Sequence, residues 1–390
     1  MNEVFVIDAV RTWFGKFRGG LSGARPDDLA GWVLRCVAER NPAAGAAIDE
    51  VYFGNANGAG EENRNVARMA VLLAGLPVSV PGATVNRLCG SGLEAVIQAR
   101  RAIAVGDADV VVAGGVESMT RAPWVVPKPD RAFPHAEQPM YSTSIGWRMV
   151  NPRMDPAWTV SMGEGAEVLA GKYQISREEQ DEFALRSHAR ALSSLSAGRL
   201  GDEVAAGEWD LGRDESIRAD TGPAAMAALR PAFRPDGTVT AGNSSPLSDG
   251  AAAVLLASGD AAGRLGLPVL ARVAGCGVSG VEPALFGLGP VEASRRALKA
   301  AGRGLADLRA AEINEAFAAQ VLACLREMPD LDPELVNQGG GAIAIGHPLG
   351  ATGGRLVGTL ARQLRAAGGG WGLATACIGV GQGLAVVLEA

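Results

Sequence analysis

Short apolar segments alternate with amphipathic ones along most of this 390-residue chain. EVFVIDAVRT at the start and DVVVAGG from Asp109 are mainly apolar on both faces, which is typical of strands that are covered on two sides. Between such segments, Pro26 to Arg40 and Ser91 to Val105 have the spacing of amphipathic helices. The alternation predicts an α/β protein with a largely parallel sheet and helices on both of its faces.

The alternation is interrupted once, from about Met119 to Asp220, where prolines, charged residues and scattered aromatic residues follow no period. One helix stands out there, SREEQDEFALRSHARALSSL, with Ser176 as its cap and Glu179 three residues later. Each flanking region contains a strand, a turn with a reactive residue and a helix. We therefore expect two copies of one βα-rich unit, with the reactive turns facing each other across a pseudo-twofold axis.

Composition excludes several classes of function. Lys and Arg total 36 against 42 Asp and Glu, with no long run of one sign, so we expect no nucleic-acid partner. No apolar stretch approaches the ~18 residues of a membrane span, and the N-terminus lacks the features of a signal or transit peptide. Five scattered cysteines without a CxxC pair or zinc-ligand spacing predict a reduced, cytoplasmic protein with no membrane partner and no metal site.

The first candidate site is VNRLCGSG, in which a predicted strand leads into Cys89, a glycine turn and a helix. This arrangement exposes a nucleophile, and the free N–H groups and dipole of the helix N-terminus should lower the thiol pKa. The competing interpretation is an inert, buried cysteine. The glycines that follow Cys89 are the observation that favours a reactive thiol.

Two more motifs carry groups that could move protons. His347 lies between glycines and a proline in GGGAIAIGHPLGATGG, although a core or capping histidine is the alternative. Cys377 ends the strand in TACIGVGQG, and because another strand follows, the glycines do not form a dinucleotide site. Asn314, beside Glu315, looks like an ordinary helix cap. Two thiols and an imidazole suit Claisen condensation, or its reverse, at a thioester.

VNRLCGSG, NEAFAAQ, GGAIAIGHPLGATG and CIGVGQG, in this order and at these separations, closely resemble the thiolase family over the whole chain. The resemblance implies the thiolase fold, with two pseudo-symmetric βαβαβαββ halves in a five-layered αβαβα arrangement and an inserted loop domain. We expect residues 1–118 and 248–269 to form the N-terminal half, 119–247 the loop domain that binds coenzyme A, and 270–390 the C-terminal half.

The resemblance also implies catalytic roles. Cys89 would be the nucleophile that becomes acylated, and His347 the base that activates it. Cys377 would exchange the proton on the α-carbon of acetyl-CoA. Asn314 would hold a water that forms one oxyanion hole with His347, while the backbone N–H groups of Cys89 and Gly379 form the other.

Further residues match positions that contact coenzyme A in the family. Arg218 would lie near the adenine and phosphate end, although a solvated surface charge is the simpler interpretation. Ser245 and Leu247 would line the pantetheine, and Met162 and Phe317 would contact the thioester. Coenzyme A and acyl-CoA are expected as substrates, with no tightly bound cofactor, and the assembly as a homodimer or homotetramer.

The substrate is indicated by finer features. Ser161 stands where biosynthetic acetoacetyl-CoA thiolases usually have histidine. GEENRNVARMAVLLAGLP, TSIGWRMVNP and GVEPALFGLGP are most similar to 3-oxoadipyl-CoA thiolases, whereas SSPLSDGAAAV also occurs in fatty-acid β-oxidation thiolases. The prediction is a degradative thiolase that cleaves a 3-ketoacyl-CoA to acetyl-CoA and a shortened acyl-CoA. An acetyl-CoA acetyltransferase and a non-catalytic CoA-binding protein are the alternatives.

A dicarboxylic substrate such as 3-oxoadipyl-CoA would require a cation near the acyl tunnel. Four arginines are candidates for it: Arg64, Arg68, Arg148 and Arg153.

Overall fold

The computed structural model describes residues 1–133, 135 and 137–390. The strands are β1 (Val4–Arg11), β2 (Gly15–Lys16), β3 (Glu50–Gly54), β4 (Gly82–Val85), β5 (Val110–Ser118), β6 (Trp124–Val125), β7 (Tyr141–Ser142), β8 (Ser248–Ser258), β9 (Ala271–Gly280), β10 (Leu308–Ile313), β11 (Trp371–Ile378) and β12 (Gln382–Glu389). The helices are α1 (Pro26–Arg40), α2 (Pro42–Gly45), α3 (Val66–Leu73), α4 (Ser91–Val105), α5 (Met162–Tyr173), α6 (Arg177–Ser196), α7 (Pro223–Ala227), α8 (Gly259–Leu265), α9 (Gly289–Ala301), α10 (Ala318–Glu327), α11 (Ala342–Ile345) and α12 (Leu349–Ala366).

In the N-terminal part of the sheet the strand order is β4-β3-β5-β8-β1. β3 runs parallel to β4 and to β5, whereas β8 lies antiparallel between β5 and β1. Ser258 pairs with Val4, and the preceding residue, Ala257, pairs with Val110. The chain therefore returns to this sheet after the 119–247 segment and fills its centre.

The C-terminal part has the order β10-β11-β12-β9. β10 and β11 are parallel, and β12 is antiparallel to both of its neighbours. Val336 forms a single parallel bridge with Ala311, at the place where the first half has β4. The third strand of this half is thus reduced to one residue pair. β1 and β9 pair over two positions, which joins the two parts into one continuous sheet.

The layers are defined by three apolar clusters. Helices α4 and α12 share one cluster with the inner faces of both parts of the sheet. Helices α1 and α3 cover the outer face of the first part, and α9 and α10 cover the outer face of the second. Burial of apolar surface therefore produces the helix–sheet–helix–sheet–helix order that the resemblance implies.

Helices α4 and α12 begin side by side because glycines let their backbones touch. A Cβ on Gly92 would lie 2.3 Å from the carbonyl oxygen of Gly350, and one on Gly353 would lie 1.9 Å from the amide nitrogen of Leu93. Cys89 lies two residues before α4, and His347 lies two residues before α12. The two reactive turns are therefore neighbours, as the likeness of the two halves predicts.

The 119–247 segment is anchored to the rest of the molecule by a buried ion-pair group. Arg11 donates from Nε to Glu203 over 2.7 Å, and its two terminal nitrogens donate to the carboxylate of Asp214 over 2.6 and 3.0 Å. Within the segment, Ser176 and Glu179 form the predicted reciprocal cap at the start of α6. None of the helices in the described ranges is long and apolar enough to cross a bilayer.

Candidate active site

The Cys89 turn is a strained and braced connection between β4 and α4. Leu88 has a φ of 48°, a left-handed conformation that costs free energy for a side chain of this size. Ser91 holds the turn, because its hydroxyl accepts the N–H of Arg87 and donates to the carbonyl of Leu88 over 2.6 Å. The backbone N–H groups of Gly379 and of Cys89 itself are close enough to the Cys89 sulfur to lower its pKa. The two backbone donors predicted for one oxyanion hole are therefore both near this sulfur.

The charge state of Cys89 differs from the expectation drawn from its turn. Burial raises the pKa of the thiol to about 11, although the N–H groups of Gly379 and Cys89 act in the opposite direction. The prediction of a lowered pKa is therefore wrong, because loss of water around the sulfur outweighs the two donors and the helix end. Cys89 is a neutral thiol at pH 7 and requires a base to become a nucleophile.

His347 is held in one tautomer. Its Nδ1 lies 2.7 Å from the hydroxyl of Thr352, and that hydroxyl donates to the carbonyl of Pro348. The hydroxyl therefore accepts from Nδ1–H, so Nε2 carries the lone pair and is the nitrogen that can take a proton. Burial, together with the charge of Arg355, lowers the pKa of His347 to about 3, so the imidazole is neutral.

The position of His347 depends on a glycine and on a residue of β8. Gly346 has a φ of 113°, and a Cβ there would lie 2.7 Å from the hydroxyl oxygen of Ser248. The N–H of His347 donates to that same hydroxyl over 3.1 Å. A side chain at residue 346 would therefore displace the imidazole from its place in the site.

Asn314 faces His347 from the other side. Its Nδ2 lies 3.3 Å from Nε2 of His347, and its Oδ1 is buried with no partner in the described part of the chain. Helix α10 starts only at Ala318, with Phe317 at the cap position, so the interpretation of Asn314 as a helix cap is wrong. An amide with unused hydrogen-bonding capacity beside a basic nitrogen suits the binding of a polar oxygen.

Cys377 is a second neutral thiol, at the end of β11. Burial raises its pKa well above the usual value, and the neighbouring Cys89 raises it further. Its apolar neighbours include Met162, Phe286 and Phe317. A thiol that holds its proton this firmly can serve as a proton donor to a carbanion.

Gly379 lies in the turn after β11 and is tightly covered. A Cβ there would lie 2.8 Å from the Trp147 ring and 3.3 Å from the sulfur of Met162. The next residue, Val380, has a φ of 60°, which is rare for a β-branched side chain. The N–H groups of Cys89 and Gly379 thus each lie next to a residue in a strained conformation. Such strain persists only where the surrounding structure fixes the backbone.

Two buried glutamates that the sequence reasoning missed hold these turns together. Glu117 accepts the N–H groups of Ala56, Asn57 and Gly350 over 2.9–3.1 Å, and burial raises its pKa to about 7. Glu315 likewise accepts hydrogen bonds from three residues, namely Ser187, Asn337 and Ile343. Acidic residues within a mainly apolar run, one in VVVAGGVES and two in AAEINEAF, are the signal that could have found them.

Of the five predicted CoA contacts, two pack in the cluster of Cys377 and two lie on the stretch that leads into β8. Met162 and Phe317 pack with Cys377, and Phe317 forms a backbone bridge with Ser244. Ser245 donates its N–H to Ala316 over 3.0 Å, and the carbonyl of Leu247 accepts the N–H of Phe17. Arg218 is exposed and its backbone N–H donates to His188, which places it outside this cluster.

Comparison with known proteins agrees with this geometry. Residues 4–260 match the family model of the thiolase N-terminal domain, and residues 267–390 match that of the thiolase C-terminal domain. The chain belongs to the thiolase family. Thiolases are acyltransferases, and this thiolase has the fold that its motifs imply.

Similar thiolases are known from bacteria and from human mitochondria. A β-ketoadipyl-CoA thiolase of Pseudomonas aeruginosa is 50% identical over 398 residues, which covers 100% of this chain and 99% of the relative. A 3-oxoadipyl-CoA/3-oxo-5,6-dehydrosuberyl-CoA thiolase of Escherichia coli is 49% identical over 401 residues and covers 100% of both chains. The crystal structure of human mitochondrial 3-ketoacyl-CoA thiolase in complex with CoA superposes with a TM-score of 0.94 and 38% identity, over 100% of this chain and 98% of that one.

Proposed function

We propose that this thiolase cleaves 3-oxoadipyl-CoA with coenzyme A to give acetyl-CoA and succinyl-CoA, through an acyl group on Cys89. The observation that carries the proposal is that the contact of α4 with α12 makes the turns of Cys89 and His347 neighbours, with the thiol of Cys377 close to Cys89 and all three groups neutral. The substrate is supported by the full-length identity of 49–50% with relatives named for 3-oxoadipyl-CoA, which is another name for β-ketoadipyl-CoA.

The first step forms the acyl-enzyme. The sulfur of Cys89 attacks the ketone carbon of the substrate while its proton passes to Nε2 of His347. The N–H groups of Cys89 and Gly379 stabilise the negative oxygen that develops. Collapse of this intermediate breaks the bond between the ketone carbon and the α-carbon, which leaves a succinyl thioester on Cys89 and the enolate of acetyl-CoA.

The second step releases the products. Cys377 donates its proton to the α-carbon of the enolate, whose oxygen is held by Asn314 and His347 through the family's bound water. An incoming coenzyme A thiol returns a proton to Cys377, and its sulfur takes the acyl group. His347 gives its proton back to the departing sulfur of Cys89. No redox cofactor or metal takes part in these steps.

The division of the chain proposed from the sequence agrees with this scheme. Residues 1–118 and 248–269 would form one half, 270–390 the other, and 119–247 the CoA-binding unit. Met162, Phe317, Ser245 and Leu247 would line the path from pantetheine to thioester, with exposed Arg218 at its outer end.

We infer an oligomer, a homodimer or a homotetramer, in the cytoplasm. β4 ends the sheet and leaves one edge unpaired in the described ranges, which favours pairing with a second copy. The β6–β7 hairpin also presents apolar surface, because Trp124 and the neighbouring Met140 are both exposed. All five cysteines are free thiols, and the scheme requires two of them in the reduced form.

The test is thiolysis of acetoacetyl-CoA, a medium-chain 3-ketoacyl-CoA and 3-oxoadipyl-CoA, with Cys89→Ser measured beside the wild type. We expect the highest kcat/KM for 3-oxoadipyl-CoA and loss of all three activities in the variant. A preference for acetoacetyl-CoA would favour an acetyl-CoA acetyltransferase instead. Absence of turnover on all three would favour a non-catalytic CoA-binding protein.

A further inference from the structure

A positive side chain directly follows the residue that covers the catalytic turn. Trp147 covers Gly379, whose N–H is near the sulfur of Cys89, and the Trp147 ring is fixed by a hydrogen bond from Nε1 to the carbonyl of Val160 over 3.0 Å. The next residue is Arg148, which is half-buried. Arg148 is therefore carried by a segment that touches the acylation site.

Arg148 also contacts the opposite wall. One terminal nitrogen donates to Oδ1 of Asn57 over 3.1 Å. The backbone N–H of Asn57 donates to Glu117, and Glu117 accepts the N–H of Gly350 just after His347. The Trp147–Arg148 pair thus contacts both the Gly379 turn and the loop of Asn57, and Glu117 links that loop to the start of α12.

The charge of Arg148 has no anionic partner among the described residues. Its hydrogen bond goes to a neutral amide, and it forms no ion pair, whereas Arg121, on the same segment, is paired with Glu61 over 2.5 Å. A half-buried guanidinium with spare donors is a suitable ligand for a carboxylate, because the two groups can form parallel, charge-assisted hydrogen bonds.

The other three candidates are unsuitable. Arg68 uses its terminal nitrogens on the carbonyls of Val80 and Val78. Arg64 and Arg153 are exposed, and the side chain of Arg153 donates to Asn151. Arg148 is the one of the four that directly follows a residue in contact with the catalytic turn.

We propose that Arg148 binds the terminal carboxylate of a dicarboxylic 3-ketoacyl-CoA and so sets the acyl specificity of this thiolase. The inference rests on the proposed function and adds to it the residue that recognises the acyl end. In 3-oxoadipyl-CoA the carboxylate carbon is three bonds from the ketone carbon that Cys89 attacks. Because this acyl group is short, its carboxylate stays close to the catalytic turn. The cation that binds it must therefore come from a segment that contacts that turn, as the segment of Arg148 does.

The experiment compares two substrates of equal chain length, 3-oxoadipyl-CoA and the uncharged 3-oxohexanoyl-CoA, in the wild type, Arg148→Gln, Arg148→Lys and Arg153→Gln. Loss of the charge-assisted contact should lower kcat/KM for 3-oxoadipyl-CoA about 30-fold or more in Arg148→Gln, mainly through KM. The value for 3-oxohexanoyl-CoA should change far less. Arg148→Lys should restore part of the loss, and Arg153→Gln should match the wild type.

The outcomes separate the two proposals. Equal losses on both substrates, or no loss on either, would show that Arg148 does not recognise the carboxylate. If the wild type prefers the longer dicarboxylic 3-oxosuberyl-CoA, the proposed substrate is wrong, and the same variants measured on that compound decide the role of Arg148. A wild type that prefers 3-oxohexanoyl-CoA would overturn both.

Discussion

Cys89 and His347 are both uncharged in the resting molecule, since burial raises the pKa of one to about 11 and lowers that of the other to about 3. A thiolate–imidazolium pair would instead require a lowered pKa for Cys89 and a raised pKa for His347. The proton must therefore move from sulfur to nitrogen during the attack on the substrate, and Asn314 and Thr352 keep Nε2 ready for it.

The pH dependence of alkylation tests this charge state. With a pKa of about 11, the thiolate fraction of Cys89 grows with pH throughout the neutral range. The rate of its reaction with iodoacetamide should rise about tenfold per pH unit from pH 6 to pH 9. Mass spectrometry of the peptide that contains Cys89 measures the rate, and Cys89→Ser gives the background. A rate that levels off below pH 8 would instead indicate a thiolate–imidazolium pair.

At the scale of single residues, the sequence predicted that two thiols and an imidazole come together, but it did not predict their charge states. Cys89, His347 and Cys377 stand out because glycines surround them in turns where packing alone would not need them. The pKa of Cys89 depends on how much water its neighbours exclude, and those neighbours come from several distant segments. The local motif shows only the helix end and the adjacent N–H groups, which favour the thiolate.

Among the elements, the contact between α4 and α12 determines how close the two reactive turns lie. Gly92 and Gly353 are in backbone contact with the opposite helix, so each helix fixes the start of the other. A methyl group at residue 92 or 353 would clash with backbone atoms of the other helix. Since backbone atoms cannot repack as side chains do, the two helices would have to move apart.

Gly353→Ala should therefore lower the free energy of unfolding by about 3 kcal/mol or more. A matched control is Gly171→Ala in α5, where a Cβ would meet nothing within 4 Å. The control should be neutral or stabilising by up to ~1 kcal/mol, because alanine favours helix. Urea denaturation followed by circular dichroism measures both variants. Equal stability of the two would mean that the close contact of α4 and α12 has no energetic role.

Elements with strong local signals were predicted best. The bounds of α1 and α4 agree with the apolar period and its glycine and proline limits. β4 ends at Val85, before the predicted strand does, because the chain must turn toward Cys89. The loss of the third strand in the C-terminal half is determined by pairing between distant segments, which periodicity cannot show.

For the whole molecule, Arg11 provides a buried, charged attachment of the 119–247 segment to the first part of the sheet. Its guanidinium is buried with Glu203 and Asp214, and it also lies over the rings of Trp13 and Phe14. Both carboxylates come from the inserted segment, whereas Arg11 ends β1. The sequence predicted the insertion from its change in texture but gave no sign of this distant attachment.

Replacing Arg11 with Met should lower the free energy of unfolding by about 3–5 kcal/mol, since two buried carboxylates lose their cation. Arg296→Met is the control, because Arg296 pairs with Glu292 on the surface of α9, where such pairs contribute less than ~1 kcal/mol. Thermal and urea denaturation compare the two. If the Arg11 variant is no less stable than the control, the segment is held mainly by other contacts.

The central place of β8 has a consequence for synthesis of the protein on the ribosome. β8 separates β1 from β5, yet it is made more than 120 residues after β5 ends. A nascent chain that lacks β8 has a gap in the middle of its first sheet, and the turn that carries Cys89 has no partner until α12 and β11 emerge. The reactive thiol therefore acquires its environment only near the end of translation, and earlier intermediates expose apolar strand edges that depend on chaperones for protection.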